Sequence, residues 1–237
     1  MTKTTNVTRL TTSAMMLAMA TALALVCAYI PFLNLPFGGG FTVASMLPIV
    51  LISYMYGMKW GFFVSFTYSC IQICMDLFLG KGSTIIALFT PSSEDYMGLF
   101  AAIAILLIDY LLAYTLLGLG GVFRNKVKNK TASIVLGVVV ALGLRYVCHI
   151  VSGYIFYGAW AEWFFTQEGF YNIGGLIIDA FDGKMLSLVY SVFYNGLFMI
   201  PEIIITAIVA APISAIKYIK KNWIILYIYL NMKNHQK

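Results

Sequence analysis

The chain has 237 residues, of which 61% are hydrophobic and only 10% are charged, and its formal net charge is +6. A soluble domain of this length cannot bury so much apolar surface in one core, so we predict an all-α integral membrane protein. In such a protein the distribution of basic residues indicates which side of the membrane each loop faces. We therefore do not interpret the positive charge as a sign of a nucleic-acid partner.

The first apolar run extends from about residue 11 to residue 30 and is long enough to cross ~30 Å of hydrocarbon. No small-residue cleavage site follows it, so we interpret it as a retained helix. Ala14, Ala18 and Ala22 form a smooth row that allows close helix packing. The row can pack inside the fold, which is the more common case, or against a partner. A second such row consists of Ala20, Ala24 and Ala28.

A glycine-rich segment, PFLNLPFGGGFT, follows from Pro31 to Thr42. Two prolines and three successive glycines cannot continue a helix. The segment is either a plain connection or, with Phe37 and Phe41 flanking the glycines, a lid over a binding site.

The next apolar block, from Val43 to about Leu79, is too long for one span. We divide it at YGMKWG, residues 56–61, into two helices joined by a tight turn. The following GKGST does not match a phosphate-binding loop, because Met75 stands where the first glycine is required. We therefore expect no nucleotide-binding site.

Three further spans are predicted, at about residues 99–120, 131–157 and 186–216. Residues 158–184 are predicted as a mixed loop. The apolar tail after residue 221 is too short to cross a bilayer. The sequence thus predicts a six-helix membrane domain at residues 1–221 and a short C-terminal tail at residues 222–237.

Six spans place both termini on the same side of the membrane, and the positive-inside rule makes that side cytoplasmic. The basic residues on this side are Lys3, Arg9, Lys59, Arg124, Lys126, Lys128, Lys130, Lys217, Lys220 and Lys221. Only Lys81 and Lys184 lie opposite, among several acids. The glycine-rich loop therefore faces outside.

Polar side chains occur in the outer halves of three predicted spans. With a rise of ~1.5 Å per residue, Asp109 lies ~15 Å, His149 ~12 Å and Asn195 ~13 Å below the outer ends of their helices. Tyr190 lies ~6 Å down. Polar groups at this depth are costly unless they face the protein interior. We therefore predict that they line one pocket.

The predicted pocket is also rich in aromatic rings. Tyr146, His149, Gly153 and Tyr157 follow helical steps of three and four and so share one face. The rings expected around the polar groups are Tyr110, Tyr146, Tyr154, Tyr157 and Tyr194. An acid among aromatic faces favours an organic cation, and an amide and an imidazole suit a nitrogen heterocycle. The alternative is structural, with Asp109 paired to Arg145 and His149 a satisfied interior histidine.

The four cysteines predict neither disulfides nor a metal site. They contain no C-x-x-C pair, and all lie in apolar segments. Cys70 and Cys74 are one helical turn apart and Cys148 adjoins His149, which is compatible with a soft metal, but buried structural cysteine is more common.

The motifs LLIDYLLAY, LRYVCHIVSGYIFYGAWA and VYSVFYNG, together with GGGFTVASMLPIVLISYMYGMKWG, resemble the thiamine-specific substrate-binding (S) component of energy-coupling factor (ECF) transporters. The resemblance extends from about Ser13 to Pro212. It implies high-affinity thiamine capture at the outer face, without enzymatic chemistry or a cofactor. Uptake would require a transmembrane coupling (T) subunit and two ATPase subunits, in a plasma membrane of bacterial type.

The resemblance also implies roles for individual residues. The ligand contacts would be Asp109, Tyr110, His149, Tyr157, Tyr190 and Asn195. The outer gate would consist of Phe37, Gly38, Gly39, Gly40 and Phe41. The row that docks on the coupling subunit would be Ala14, Ala18 and Ala22.

Other functions stay open at this point. The ligand could be a thiamine precursor, such as its pyrimidine half, or another vitamin. A self-sufficient proton-coupled carrier could use Asp76, Asp109 or Glu202, although no repeat of halves is evident. An intramembrane enzyme could use His149 with Asp109, but it lacks a convincing third member.

Overall fold

The computed structural model describes residues 6–34, 40–79 and 84–214. Across these ranges the chain is almost entirely helical, and its strand-like pairing is an isolated bridge between Asn34 and Gly40. The all-α prediction is confirmed. The long helices are α1 (Asn6–Ala28), α3 (Met58–Leu79), α5 (Leu99–Gly121), α6 (Lys130–Phe156) and α9 (Gly183–Ile213). The short ones are α2 (Leu47–Tyr56), α4 (Thr84–Phe89), α7 (Ala161–Phe165) and α8 (Tyr171–Ala180).

The five long helices are long and apolar enough to cross a membrane, whereas the sequence predicted six such helices. The missing one is α2, which has 10 residues and is therefore only ~15 Å long. Its residues from Leu47 to Met55 are all buried. This helix therefore lies inside the bundle, where neighbouring helices shield it from lipid.

The break between α2 and α3 falls at Gly57, inside the predicted turn. Gly57 has φ 92°, in the region that favours glycine because a Cβ atom would be strained there. Its N–H still donates to the Ser53 carbonyl and closes the last turn of α2. The prediction of two helices separated at this position is confirmed.

Helix α1 presents two different alanine faces. Ala20 and Ala24 are buried against the bundle, whereas Ala14, Ala18 and Ala22 are exposed. The second row is thus buried at Ala20 and Ala24, whereas its last member, Ala28, is exposed at the end of the helix. The row that faces away from the bundle is the one expected to meet a partner.

The end of α5 packs closely against three neighbouring helices through glycines. A Cβ atom built on Gly118 would lie 2.7 Å from Phe62 of α3, and one on Gly120 would lie 2.5 Å from Val50 of α2. A Cβ atom on Gly137 of α6 would lie 2.1 Å from the Gly120 carbonyl oxygen. Glycine on one side permits the close approach to Phe62 and Val50, and at Gly120 and Gly137 both sides lack a side chain, as small residues permit in membranes.

We expect Gly137→Ala to destabilise the protein by about 2 kcal/mol or more, because the new methyl group would displace backbone rather than a flexible side chain. Gly143→Ala is the matched control on the same helix, since nothing lies within 4 Å of a Cβ there. Thermal unfolding in detergent measures the difference. Equal melting temperatures for the two variants would contradict this packing.

The segment between α6 and α9, predicted as a loop, is largely helical. It contains α7, α8 and short 3-10 turns at Gly158–Trp160 and Glu168–Phe170. Phe164 and Phe165 are buried, and the Phe164 ring packs edge-on against Tyr190 with centroids 5.2 Å apart. Aromatic packing, which sequence periodicity does not show, gives this segment its structure.

Candidate functional site

A cavity of about 180 Å³ opens between α4, α5, α6 and α9. All six predicted contact residues lie on its wall. The described lining residues are Gly40, Thr84, Leu88, Ile105, Asp109, Tyr110, Tyr114, Arg145, His149, Gly153, Tyr157, Tyr190, Tyr194, Asn195 and Phe198. The convergence of three helices that the sequence predicted is therefore present in the fold.

Asp109 lies in a part of α5 with π-helical geometry, Leu106–Leu112. Such wide turns are rare and often occur at functional sites. In an α-helix, consecutive side chains point about 100° apart. Here Asp109 and Tyr110 both line the cavity. Tyr194 and Asn195 of α9 do the same from a regular α-helix, so two adjacent residues can serve this site with or without a wide turn.

The Asp109 carboxylate is shared by two residues of α6. His149 Nδ1 lies 2.8 Å from Oδ1, and the Ser152 hydroxyl donates to Oδ2. When the imidazole is neutral, it donates to the carboxylate and the pair carries one negative charge. His149 Nε2 then has an unused lone pair, because it is buried and has no hydrogen-bond partner among the residues described.

The alternative pairing of Asp109 with Arg145 is wrong. Arg145 is buried and donates to the Tyr114 hydroxyl at 3.0 Å and to the Met46 sulfur. Its guanidinium also lies 4.2 Å from the centre of the Tyr114 ring, in a cation–π contact. The positive and negative side chains of this cavity therefore have separate partners.

The hydrogen bonds do not match a catalytic triad. In a triad the serine hydroxyl bonds to the imidazole, which takes up its proton. Ser152 bonds instead to the carboxylate of Asp109. The arrangement can hold a ligand, but Ser152 and His149 do not make the hydrogen bond that a triad requires.

Asn195 joins α9 to α6. Its amide nitrogen donates to the backbone carbonyl of His149 at 3.1 Å and to that of Ser191 at 2.8 Å. Ser191 in turn donates to the Ile150 carbonyl at 2.8 Å. These bonds fix the amide, and its oxygen atom is not used in them. Asn195 therefore has both a structural role and a polar group at the cavity.

Aromatic side chains form one wall of the cavity. Tyr190 and Tyr194 stack with ring centroids 5.7 Å apart, and Phe198 packs edge-on against the His149 ring at 5.7 Å. Tyr157 lies just beyond the end of α6. Burial raises the pKa of its phenol well above the ordinary value, and the nearby Asp109 carboxylate adds to this rise. The Tyr157 phenol therefore stays neutral.

Tyr110 is held in place from α3. Its hydroxyl donates to Asp76 Oδ2 at 2.9 Å, and the second oxygen of Asp76 accepts from the Ile85 N–H at 3.0 Å. Asp76 therefore connects α3, α4 and α5 beside the cavity.

Two of the predicted rings take no part in the site. Tyr146 donates through its hydroxyl to the Val192 carbonyl at 2.7 Å and lies at the interface with α9. Tyr154 also is not among the described lining residues.

Sequence reasoning missed Ser152 as a partner of Asp109, although its step of three from His149 placed it on the same face. It also missed Thr84 and Leu88 of α4, for which the sequence has no signal.

The foot of the glycine-rich loop, by which we mean its two ends at Asn34 and Gly40, is described. Phe37, Gly38 and Gly39 lie outside the described residues. Gly40 lines the cavity and Phe41 is half-buried. Asn34 supports this foot, since its side-chain nitrogen donates to the carbonyls of Ala28 and Ile30 at 3.0 and 2.8 Å. A fixed foot therefore brings the chain to the cavity mouth.

Glu202 of α9 is a second anchor for this foot, and the sequence suggested it only as a carrier group. Its side chain is 1% exposed. One of its oxygens accepts hydrogen bonds from both the backbone N–H and the hydroxyl of Thr42. Thr42, which lies next to the loop, thus provides hydrogen bonds to this buried carboxylate.

The cysteine prediction is partly wrong. Cys27 and Cys148 are buried, but Cys70 and Cys74 are exposed on the outer face of α3. In a membrane protein such a face meets lipid, so apolar surroundings do not require burial in protein. Within the described ranges no group of three or more His, Cys, Asp or Glu residues could hold a metal ion.

Comparisons with known proteins give two matches. The profile of the "Thiamine transporter protein (Thia_YuaJ)" family matches residues 13–164. The chain is also 29% identical over 188 residues to the thiamine transporter ThiT of Bacillus subtilis (strain 168), covering 75% of this chain and 76% of that protein.

Proposed function

Because this chain belongs to the thiamine transporter family, we propose that it captures thiamine at the outer face as the substrate-binding (S) subunit of an ECF transporter. It is a multi-pass membrane protein that serves thiamine uptake, and it is a transporter rather than an enzyme. The observation that carries the proposal is the single cavity in which the Asp109–His149 pair lies among tyrosine rings.

The chemistry of this cavity suits thiamine. Its thiazolium ring is a permanent cation, which a carboxylate and aromatic faces attract in a poorly solvated place. Its aminopyrimidine has a donor amino group and acceptor ring nitrogens. The unused lone pair of His149 Nε2 and the amide oxygen of Asn195 can accept from that amino group. Tyr157 and Tyr190 provide neutral rings and hydroxyls for stacking and hydrogen bonding.

The proposed topology has six crossings with both termini in the cytoplasm. The ten-residue α2 completes its crossing with the chain from Gly40 to Met46, which is not helical and is buried in protein at its end, from Ala44 to Met46. Non-helical backbone is tolerated at membrane depth where protein shields it. The gate proposed at residues 37–41 then faces outside, in a bacterial plasma membrane.

The partners are a T subunit and two ATPases, and the docking surface is the row Ala14, Ala18 and Ala22. These alanines are exposed on α1, where small side chains allow another helix to approach closely. Energy must come from the partners, since the chain has no nucleotide-binding motif.

We expect Ala18→Leu to reduce thiamine uptake by the assembled transporter at least about tenfold, because a bulky side chain separates helices that pack through small residues. Thiamine binding to the isolated subunit should be unchanged. Uptake by cells and binding to purified protein measure the two effects. Met15→Leu, at another exposed position of α1, is the control and should preserve both. Loss of binding along with uptake would contradict a docking role.

Binding to purified protein tests the proposal directly. Thiamine should quench the intrinsic tryptophan and tyrosine fluorescence with saturation at or below micromolar concentration. The isolated pyrimidine half, tested alongside, should bind much more weakly because it lacks the cation. A well-folded sample whose fluorescence does not change when thiamine is added would refute the proposal. Uptake into vesicles that contain this chain alone, driven by a proton gradient, would favour a self-sufficient carrier instead.

A further inference from the structure

Helix α8 belongs to the segment that joins the end of α6 to the start of α9. It has 10 residues and is therefore only ~15 Å long, which is too short to cross a bilayer. Only Phe181 and Asp182 separate it from α9, which is long and apolar enough to span the membrane. The chain therefore holds α8 close to one membrane surface, which in the proposed topology is the outer one.

One side of α8 packs against the protein. Ile177 and Ile178 pack against the main hydrophobic core. A Cβ atom on Gly174 would overlap the backbone carbonyl oxygen of Phe165 in α7. Helix α7 in turn packs through Phe164 against two tyrosines that line the first cavity. This side of α8 thus supports, through α7, the aromatic wall of the cavity.

A second side of α8 carries large apolar side chains that no described residue covers. Ile173 is 64% exposed and Leu176 is 68% exposed. They are three residues apart and share one face with Ala180, which is also exposed. Phe181 and Met185, at the start of α9, are exposed apolar residues as well. The apolar face of α8 therefore adjoins exposed apolar residues of a membrane-spanning helix.

The third side of α8 is polar. Asn172, Gly175 and Asp179 are exposed, and their spacing of three and four places them on one face. At ~100° per residue, the centre of this face lies ~100° from the centre of the apolar face. A short helix with an apolar and a polar side suits the membrane interface, where the apolar side enters the boundary of the acyl chains.

Two further observations favour lipid over a second protein. Trp163 of α7 is 42% exposed and packs edge-on against Trp160, with ring centroids 6.2 Å apart. Tryptophan is enriched at the level of the lipid headgroups. Ile173 and Leu176 alone also cover far less than the ~800 Å² per partner that a stable protein interface buries. They suffice for a helix that the chain already holds at the membrane surface.

We propose that α8 is an interfacial helix, with Ile173 and Leu176 inserted among the acyl chains of phospholipids and Asp179 in water. The sequence of α8, YNIGGLIIDA, contains no basic residue. Apolar burial, and not attraction to anionic headgroups, therefore holds it at the bilayer. This inference does not depend on thiamine being the ligand.

Spin-label accessibility in lipid nanodiscs tests the proposal. The labels are attached to Leu176→Cys and Asp179→Cys in the full chain, after the exposed Cys70 and Cys74 have been replaced by alanine. Dissolved oxygen concentrates among acyl chains, whereas a water-soluble nickel chelate stays outside them. We expect the ratio of oxygen to nickel collisions to be at least about threefold higher at residue 176 than at residue 179.

A second pair of variants repeats this comparison on adjacent residues. Ile173→Cys should resemble Leu176→Cys, and Asn172→Cys should resemble Asp179→Cys. This pair decides the question if a variant of the first pair does not fold. Size-exclusion chromatography of each labelled protein checks the fold.

Equal collision ratios on the apolar and polar faces of well-folded protein would refute the proposal. A label at residue 176 that is shielded from both reagents would also refute it, because protein, such as a second copy of the chain, would then cover the face. Nanodiscs of zwitterionic and of anionic phospholipid should give the same ratio at residue 176. A high ratio only with anionic lipid would contradict insertion by apolar burial.

Discussion

Asp109→Asn is expected to weaken thiamine binding at least about a hundredfold while the protein stays folded. Asp109 is the one carboxylate among the described lining residues of the first cavity, and replacing it leaves a bound cation without its counter-charge. Truncating one member of a buried charge pair costs about 3 kcal/mol, which corresponds to ~100-fold in affinity. Asparagine is nearly isosteric and can still accept a hydrogen bond from His149 or Ser152. Titration of purified protein with thiamine measures the loss.

The control for this variant is Asp179→Asn, which makes the same change at an exposed position of α8. Thiamine affinity should not change there, and both proteins should elute alike in size-exclusion chromatography. An Asp109→Asn protein that binds thiamine within about threefold of the wild type would show that the carboxylate is not the counter-ion. In that case the aromatic faces alone would have to account for recognition of the cation.

Gly153→Ala is the second variant with a large expected effect. A Cβ atom at this position would lie 2.2 Å from the Ser191 hydroxyl oxygen and 3.1 Å from the Asn195 side-chain nitrogen. The methyl group would therefore press on the Ser191 and Asn195 side chains of α9 where α6 and α9 both line the cavity. We expect a stability loss of about 1–3 kcal/mol from overpacking, and thiamine affinity at least about tenfold lower. Thermal unfolding and thiamine titration measure the two effects.

A second substitution distinguishes this clash from a general loss of helix packing. Ser191→Gly removes the atoms that the new methyl group would meet, so the double variant should recover part of the stability that Gly153→Ala loses. Residues in contact show such non-additive effects, whereas distant ones do not. If the stability changes of Ser191→Gly and Gly153→Ala are additive in the double variant, residues 153 and 191 do not make this contact.

The polar residues of the site were predictable because their cost at membrane depth makes them conspicuous in the sequence. Asp109, His149 and Asn195 interrupt apolar helices, and helical rise alone placed them at similar depths. Their mutual arrangement was not predictable. The π-helical turn that contains Asp109 and Tyr110 has no signature in the apolar pattern, and the preference of Asp109 for His149 over Arg145 depends on how three helices pack.

The sequence by itself determined that the protein lies in a lipid bilayer, that it is all-α, and that polar groups among aromatic rings form its site. These properties follow from composition, from the length of apolar runs and from the cost of burying charge, all of which are local. Only the tertiary structure decided that α2 is a short buried helix, which alanine row of α1 faces outward, and that the segment after α6 folds into helices. Those outcomes depend on contacts between residues far apart in the chain, such as Gly120 with Gly137, and no local pattern encodes such contacts.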